Sequence, residues 1–461
     1  MSPTVTAVHS RSTNQIAISF SADLQALSPE GLPTAANPSL FTVMVDGRSR
    51  RISQVVLEDG RTVVLTVPGR ALAQAIELTV KYERPDTTDT SGWLADSTAA
   101  PLGSLVEQAV TVLLSGAAMN KAIGGAYTTL KLVGNKPIKG VGNANNNTII
   151  GNEAANTLDG GTGADSLYGG KGDDSYWVDD VGDRTVEMAD EGVDTVMSLL
   201  SWTLAENVEN LVLLGREVLN GTGNGANNMI TGNSASNRLD GGGGDDQLIG
   251  GKGDDVYVIN SAGDSIRENG LEADVDSVEA SISWSLRKGD KLENLFLTGT
   301  LAINAVGNER NNTIKGNGAA NQLDGGVDGT DELTGLGGGD RFTFSTRPNK
   351  FSDFHADRIV DFNAGEGDLI YLNRVSFGIK ASMPTLAVID LPDLVSTGTM
   401  ADDRKAIDEA LSTSALFVYN RTRGELHWNQ NSIAGGAGSG GIIAILLNKA
   451  ELKVSDLVLY G

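Results

Sequence analysis

A nine-residue period opened by glycine constrains this chain more than any other feature. It starts at Gly142, Gly151, Gly160 and Gly169, then again at Gly223, Gly232, Gly241 and Gly250. A third run starts at Gly307, Gly316, Gly325 and Gly335, with one residue inserted near Asp328. The eighth position is apolar throughout: Ile149, Leu158, Leu167, Tyr176; Ile230, Leu239, Leu248, Tyr257; Ile314, Leu323, Leu333, Phe342. The sixth carries a short side-chain oxygen in a fixed order: Asn147, Asn156, Asp165, Asp174; Asn228, Asn237, Asp246, Asp255; Asn312, Asn321, Asp331, Asp340. Repetition at a short fixed period with one buried position per unit specifies a stack of coils, each covering its neighbour.

The three runs sit inside a longer repeat. Leu-Lys-Leu-Val-Gly134 returns as Leu-Val-Leu-Leu-Gly215 and as Leu-Phe-Leu-Thr-Gly299, at spacings of 81 and 84 residues. The segments between runs, 179–209 and 260–293, contain a Gly-Asp turn (Asp183, Asp264), alternation around Val196 or Val278, and a Ser-Trp pair ending in Trp202 or Trp284. They read either as further coils with longer loops or as a strand pair packed on the side of the stack.

The flanks follow different rules. Residues 1–112 hold short β-branched or aromatic runs such as Val5–Val8, Ile16–Phe20, Phe41–Val45, Ile52–Leu57, Val63–Val67 and Leu78–Tyr82, punctuated by Asp46-Gly47 and Asp59-Gly60. Asp-Gly between such runs is a hairpin signal, and this spacing predicts an antiparallel sandwich. Residues 113–129 read as a linker or cap, 130–344 as the coil stack, and 345–461 as a β-rich capping region with a short helix at Arg404–Leu411. A solenoid needs such a cap to cover its open edge. The fold class expected is all-β.

Composition narrows function. The formal net charge is −24, from 59 acidic and 35 basic residues. That opposes binding to a phosphate backbone, and it calls for bound counterions if the chain is to compact. There is no cysteine, which excludes disulfides, thiolate metal sites and a cysteine nucleophile. The first residues, Met-Ser-Pro-Thr-Val-Thr, lack the basic and apolar regions of a secretory signal, and the most apolar run, Ile442–Leu447, is too short to span a bilayer.

In the unit G-G-x-G-x-D-x-U-x, glycines permit a tight turn with positive φ and leave carbonyls pointing inward. The sixth-position carboxylate joins them. Turns eighteen residues apart fall on the same side of the stack, so oxygens of successive turns face one gap. Flexible, multidentate oxygen cages suit calcium better than magnesium or softer metals. The nonapeptide is itself an established calcium β-helix signature.

The strict pattern gives the candidate ligands Gly160, Thr162, Gly163 and Asp165; Gly169, Lys171, Gly172 and Asp174; Gly241, Gly243, Gly244 and Asp246; and Gly250, Lys252, Gly253 and Asp255. Asp183 and Asp264 follow at eighteen residues, and Asp331 and Asp340 belong to the degraded third run. Asn147, Asn156, Asn228 and Asn237 either complete weaker mixed sites or form ladders without metal.

These motifs, over 130–344, resemble the RTX (repeats-in-toxin), haemolysin-type calcium-binding family. The resemblance implies a parallel β-roll, several bound calcium ions and export through type I secretion machinery. Asp357-Arg-Ile-Val-Asp361-Phe362 and Gly367-Asp368 resemble the segment after such arrays in serralysin-like domains, which adds Asp357, Asp361 and Asp368 as candidates. The tail Asp456-Leu-Val-Leu-Tyr-Gly461 resembles an acidic-then-apolar secretion signal. Phe41-Thr-Val-Met-Val-Asp-Gly47 and Val80-Lys-Tyr82 are similar to bacterial Ig-like modules of the SwmB kind.

Catalytic motifs are missing. The three histidines, His9, His355 and His427, form no H-E-x-x-H zinc site. Ser439 lies in a glycine-rich loop rather than a nucleophile elbow. The reading is a secreted or cell-surface, non-enzymatic calcium-binding protein with a structural, matrix or adhesive role and no nucleic-acid partner or membrane span. The alternative is a glycan binder, using Trp177, Trp202 or Trp284, or an enzyme of hydrolase or epimerase type on a β-roll scaffold.

Overall fold

The computed structural model describes residues 128–133, 135–271, 273–345, 356–377, 379, 417–428 and 441–460, plus the backbone of the strands between residues 5 and 122 and of Val388–Leu391. The described elements are β-strands apart from one 3-10 turn, Val454–Asp456. The chain divides into two units, Met1–Leu214 and Gly215–Gly461.

In the first unit the coils alternate between two parallel sheets. One holds Thr111–Leu114, Thr129–Val133, Thr148–Ile150, Ser166–Tyr168 and Arg184–Val186 in that order. The other holds Asn120–Ala122, Lys139–Val141, Thr157–Asp159, Ser175–Val178, Thr195–Ser198 and Asn210–Leu213. Register follows the period: Ile149 faces Leu167, and Leu158 faces Tyr176, eighteen residues on. Three-residue strands bury their middle residue, so one apolar side chain per half coil is enough to fill the interior. Ile149, Leu158, Leu167 and Tyr176 are all fully buried. Each such side chain contributes roughly 1.5–3 kcal/mol.

The segment 179–209 resolves the alternative left open by sequence. Arg184–Val186 pairs parallel with Ser166–Tyr168, and Thr195–Ser198 with Ser175–Val178, so it continues the stack as coils. The coil length changes here: Thr195 faces Ser175 and Asn210 faces Thr195, at twenty and fifteen residues instead of eighteen. The strands at 111–114 and 120–122, which overlap the expected linker, already pair parallel with the first coils.

The second unit repeats this construction through Arg238–Asp240, Val256–Ile259 and Ser277–Ala280 on one side, and Met229–Thr231, Gln247–Ile249 and Ser265–Arg267 on the other. The parallel stack continues past residue 344, since Asp357–Ile359 pairs with Glu332–Thr334 and Leu369–Asn373 with Arg341–Phe344. Gly441–Leu446 and Leu457–Tyr460 then join the two sheets in parallel. Glu425–Trp428 and Phe417–Asn420 extend one sheet antiparallel, and Val388–Leu391 then pairs parallel with Phe417–Asn420 as its outermost strand.

Near the N-terminus, backbone strands form antiparallel sheets, among them Val5–Ser12, Gln15–Phe20, Thr62–Thr66 and Gln54–Glu58 in one, and Arg48–Arg50, Phe41–Val45 and Leu78–Tyr82 in another. The expected helix at Arg404–Leu411 lies outside the described residues.

Candidate metal centre

The sixth-position side chains build a ladder along each side of the stack. The backbone N–H of Asn147 donates to Asp165 Oδ1 at 2.6 Å, and that of Asp165 to Asp183 Oδ1 at 2.9 Å. The opposite side repeats this from Asn156 to Asp174 to Asp194. In the second unit the ladders run Asn228, Asp246, Asp264 and Asn237, Asp255, Asp276. The third run gives Asn312, Asp331, Asp357 and Asn321, Asp340, Asp368. Each carboxylate thus spends one oxygen on the coil before it.

The ladder explains why Asn always precedes Asp. The Asn oxygen accepts an N–H of its own turn, as from Asn143 to Asn147 and from Asn233 to Asn237. The Asn amide also donates to a backbone carbonyl of the preceding coil: Asn237 to Leu219, Asn312 to Leu292, Asn321 to Ile303. An Asp there would face a carbonyl with no proton to give. Asn237→Asp should therefore destabilise the calcium-loaded protein by on the order of 1–3 kcal/mol, the cost of a lost buried donor. The check is the thermal midpoint of the variant against that of the wild-type protein, both in saturating calcium. An unchanged midpoint would remove the donor role.

The strict Asp turns differ in what their second oxygen does. Oδ2 of Asp165, Asp174, Asp246 and Asp255 is buried and has no hydrogen-bond partner. Each points over the glycine opening its own turn: a β-carbon on Gly160, Gly169, Gly241 or Gly250 would collide with it. Carbonyls enter neighbouring gaps in the same way, with Gly160 O over Gly142 and Gly169 O over Gly151. Gly161, Gly163, Gly170 and Gly172 hold the positive φ that turns this backbone. Thr162, Lys171, Gly243 and Lys252 are the loop residues between such glycines.

Burial of these acids is costly. It pushes Asp165 and Asp246 up to about 6, Asp174 to about 7 and Asp255 to about 8, with neighbouring aspartates adding to the rise. An orphaned carboxylate oxygen in a cradle that excludes a β-carbon suits a hard cation such as calcium.

Other candidates are engaged differently. Asp183 accepts from Asp179 and Asp180, Asp264 from Asn260 and Ser261, Asp361 from Gly335 and Leu336, and Asp368 from Asn363, each through backbone N–H groups. They hold turns together. Asp331 and Asp357 share a hydrogen bond, and burial raises both, so the pair retains a proton. Asp340 is raised to about 7 by burial and by Asp368.

Four acids absent from the sequence-derived set complete the picture. Ligand oxygens of Asp174, Glu187 and Asp194 lie within 4.8 Å of one another, as do those of Asp255, Glu268 and Asp276. Glu187 and Glu268 stand eighteen residues after Gly169 and Gly250, where the next turn would open with glycine. Extending the repeat count through the spacer would have found them. Asp194 and Asp276 follow at twenty and twenty-one residues, so the eighteen-residue rule misses them.

Away from the ladders, Trp177 is 38 % exposed with the Lys139 ammonium 5.9 Å from its ring centroid. Trp202 and Trp284 are half-buried. His427 is a buried strand residue whose Nε2 lies 3.1 Å from Glu425. Burial raises Glu425, but His427 and Arg423 outweigh it and hold the acid below its ordinary value. Ser439 and His355, and the side chain of His9, lie outside the described residues.

A family model described as the RTX calcium-binding nonapeptide repeat (4 copies) matches residues 141–176 and 222–257. Those spans hold the strict turns of the first two runs. No curated protein and no solved structure matches the chain. No described helix is long and apolar enough to cross a membrane. The matched spans and the parallel stack agree: this chain carries RTX calcium-binding nonapeptide repeats, folded as a parallel β-solenoid.

Proposed function

We propose that this protein is a secreted, non-enzymatic structural or adhesive protein whose solenoid folds when calcium binds outside the cell. The observation that carries the reading is the set of buried, partnerless carboxylate oxygens repeated at Asp165, Asp174, Asp246 and Asp255. Gly160, Thr162, Gly163 and Asp165, with their counterparts in the other strict turns, would hold the ions. Calcium supplies the positive charge that these gaps lack. The protein's residues supply the spacing, the carbonyls and the exclusion of side-chain bulk.

Because each gap forms only when two coils stack, binding energy and folding energy are one quantity. Low cytosolic calcium keeps such a chain open for passage through a type I channel, and millimolar calcium closes it outside. The matched repeats support this route, and the antiparallel N-terminal strands support an Ig-like module that contacts a matrix, glycan or cell-surface partner.

Isothermal titration of calcium into EDTA-stripped protein tests the reading. Several ions should bind per chain, at least one for each strict turn. No heat at millimolar calcium would mean that the turns are a metal-free scaffold.

A further inference from the structure

The carboxylate groups at Asp174 and Asp255 are not ordinary nonapeptide gaps. Oδ2 of Asp174 and Oε2 of Glu187 are buried without a hydrogen-bond partner, as are Oδ2 of Asp255 and Oδ2 of Asp276. Asp174, Asp255 and Asp276 are at least 99 % buried, and Glu187 is 8 % exposed. The oxygens converge: one β-carbon added to Gly169 would strike Asp174 Oδ2, Glu187 Oε1 and the Tyr176 hydroxyl together. At Gly250 it would strike Asp255 Oδ2 and the Tyr257 hydroxyl.

The arrangement recurs in the second unit with one difference: Glu268 Oε1 accepts from the Gly270 backbone N–H, so the unpartnered oxygens there are those of Asp255 and Asp276. Tyr176 donates its hydroxyl to Glu187, and Tyr257 donates to Glu268, each eleven residues on. Most turns place Ile or Leu at the eighth position, and the third run ends in Phe342, which has no hydroxyl. Tyrosine thus occurs only where a glutamate replaces the next opening glycine. Asp194, Asp173 and Glu191 act on Asp174 by charge, and all three are negative. Two oxygens on one calcium ion stand at most about 5 Å apart, given calcium–oxygen distances of about 2.3–2.6 Å. The observed limit of 4.8 Å fits.

We propose that Asp174, Glu187 and Asp194 in the first unit, and Asp255, Glu268 and Asp276 in the second, form two three-carboxylate calcium sites that fill before the nonapeptide gaps. A strict turn brings one free carboxylate oxygen to its gap, whereas each of these sites brings three carboxylates. Ligand charge sets affinity in such oxygen cages. Tyr176 and Tyr257 are positioning residues that fix the glutamate on its ion. The first ions then pin one coil junction in each unit, and neighbouring coils stack from there. The inference rests on calcium binding by this chain but not on how many of the remaining gaps fill.

The test is calcium titration of the full chain, calorimetrically, for wild type, Glu187→Gln/Glu268→Gln and Asp194→Asn/Asp276→Asn. The second pair keeps the Oδ1 acceptor of the ladder and so guards against simple loss of fold. Wild type should show two tight ions followed by a weaker class, and each pair should weaken those two at least tenfold while the weaker class stays. A single class of ions in wild type, or tight binding preserved in both pairs, overturns the proposal. In either case calcium still binds, so the general reading stands; no binding by wild type would remove both.

Discussion

Chelating calcium at neutral pH is expected to strip this protein of most of its far-UV β signal and to expand it. Among the described residues, Asp165, Asp174, Glu187, Asp246, Asp255 and Asp276 each bury a carboxylate oxygen with no partner. Leaving an ionised group buried and unpaired costs several kcal/mol. A domain's whole net stability is only about 5–15 kcal/mol. A handful of such groups therefore outweighs the burial of Leu167, Leu248 and their neighbours, and the formal charge of −24 adds repulsion throughout. Circular dichroism and small-angle scattering in EDTA, then in millimolar calcium, give the measurement. Superposable spectra would show that the acids are accommodated without metal, and the folding switch would be lost.

Acid should partly replace calcium. Without metal, burial raises Asp165, Asp194 and Asp246 to about 6, Asp174, Asp276 and Asp340 to about 7, and Asp255 and Glu187 to about 8. In the unfolded chain these groups titrate near 4. The folded form therefore holds more protons between about pH 4 and pH 8, and its stability falls as pH rises through that window. Each group contributes at most about 1.4 kcal/mol per pH unit. In EDTA, β signal absent at pH 8 should return as the solution is brought toward pH 5. Calcium affinity should move the other way and strengthen toward pH 8, because each ion must displace those protons. Metal-free stability that rises with pH would contradict the burial of these carboxylates.

Much of this was legible in the chain because a solenoid is nearly one-dimensional. Residues that meet in space lie a fixed number of positions apart, so Ile149 over Leu167 and Asp165 beside Asp183 could be counted out. The same counting identified the strict turns by their glycines, and each of those turns holds one partnerless carboxylate oxygen. Counting failed where the coil changes length. Asp194 and Asp276 reach their ladders over loops two and three residues longer than the repeat, as the twenty- and twenty-one-residue steps from Asp174 and Asp255 show.

The sequence by itself determined the coil, its period, its interior and the oxygen chemistry of its turns. These follow from glycine's freedom at positive φ and from one apolar side chain per nine residues. Only the tertiary structure decided which oxygens remain free. Asp183, Asp264, Asp361 and Asp368 look like further ligands in the sequence, yet each has its carboxylate bound to backbone N–H groups. Glu187 and Glu268 look like spacer residues, yet each is turned into a carboxylate cluster. A hydrogen-bond partner is a matter of position in space, and where loop lengths vary, spacing along the chain no longer fixes that position.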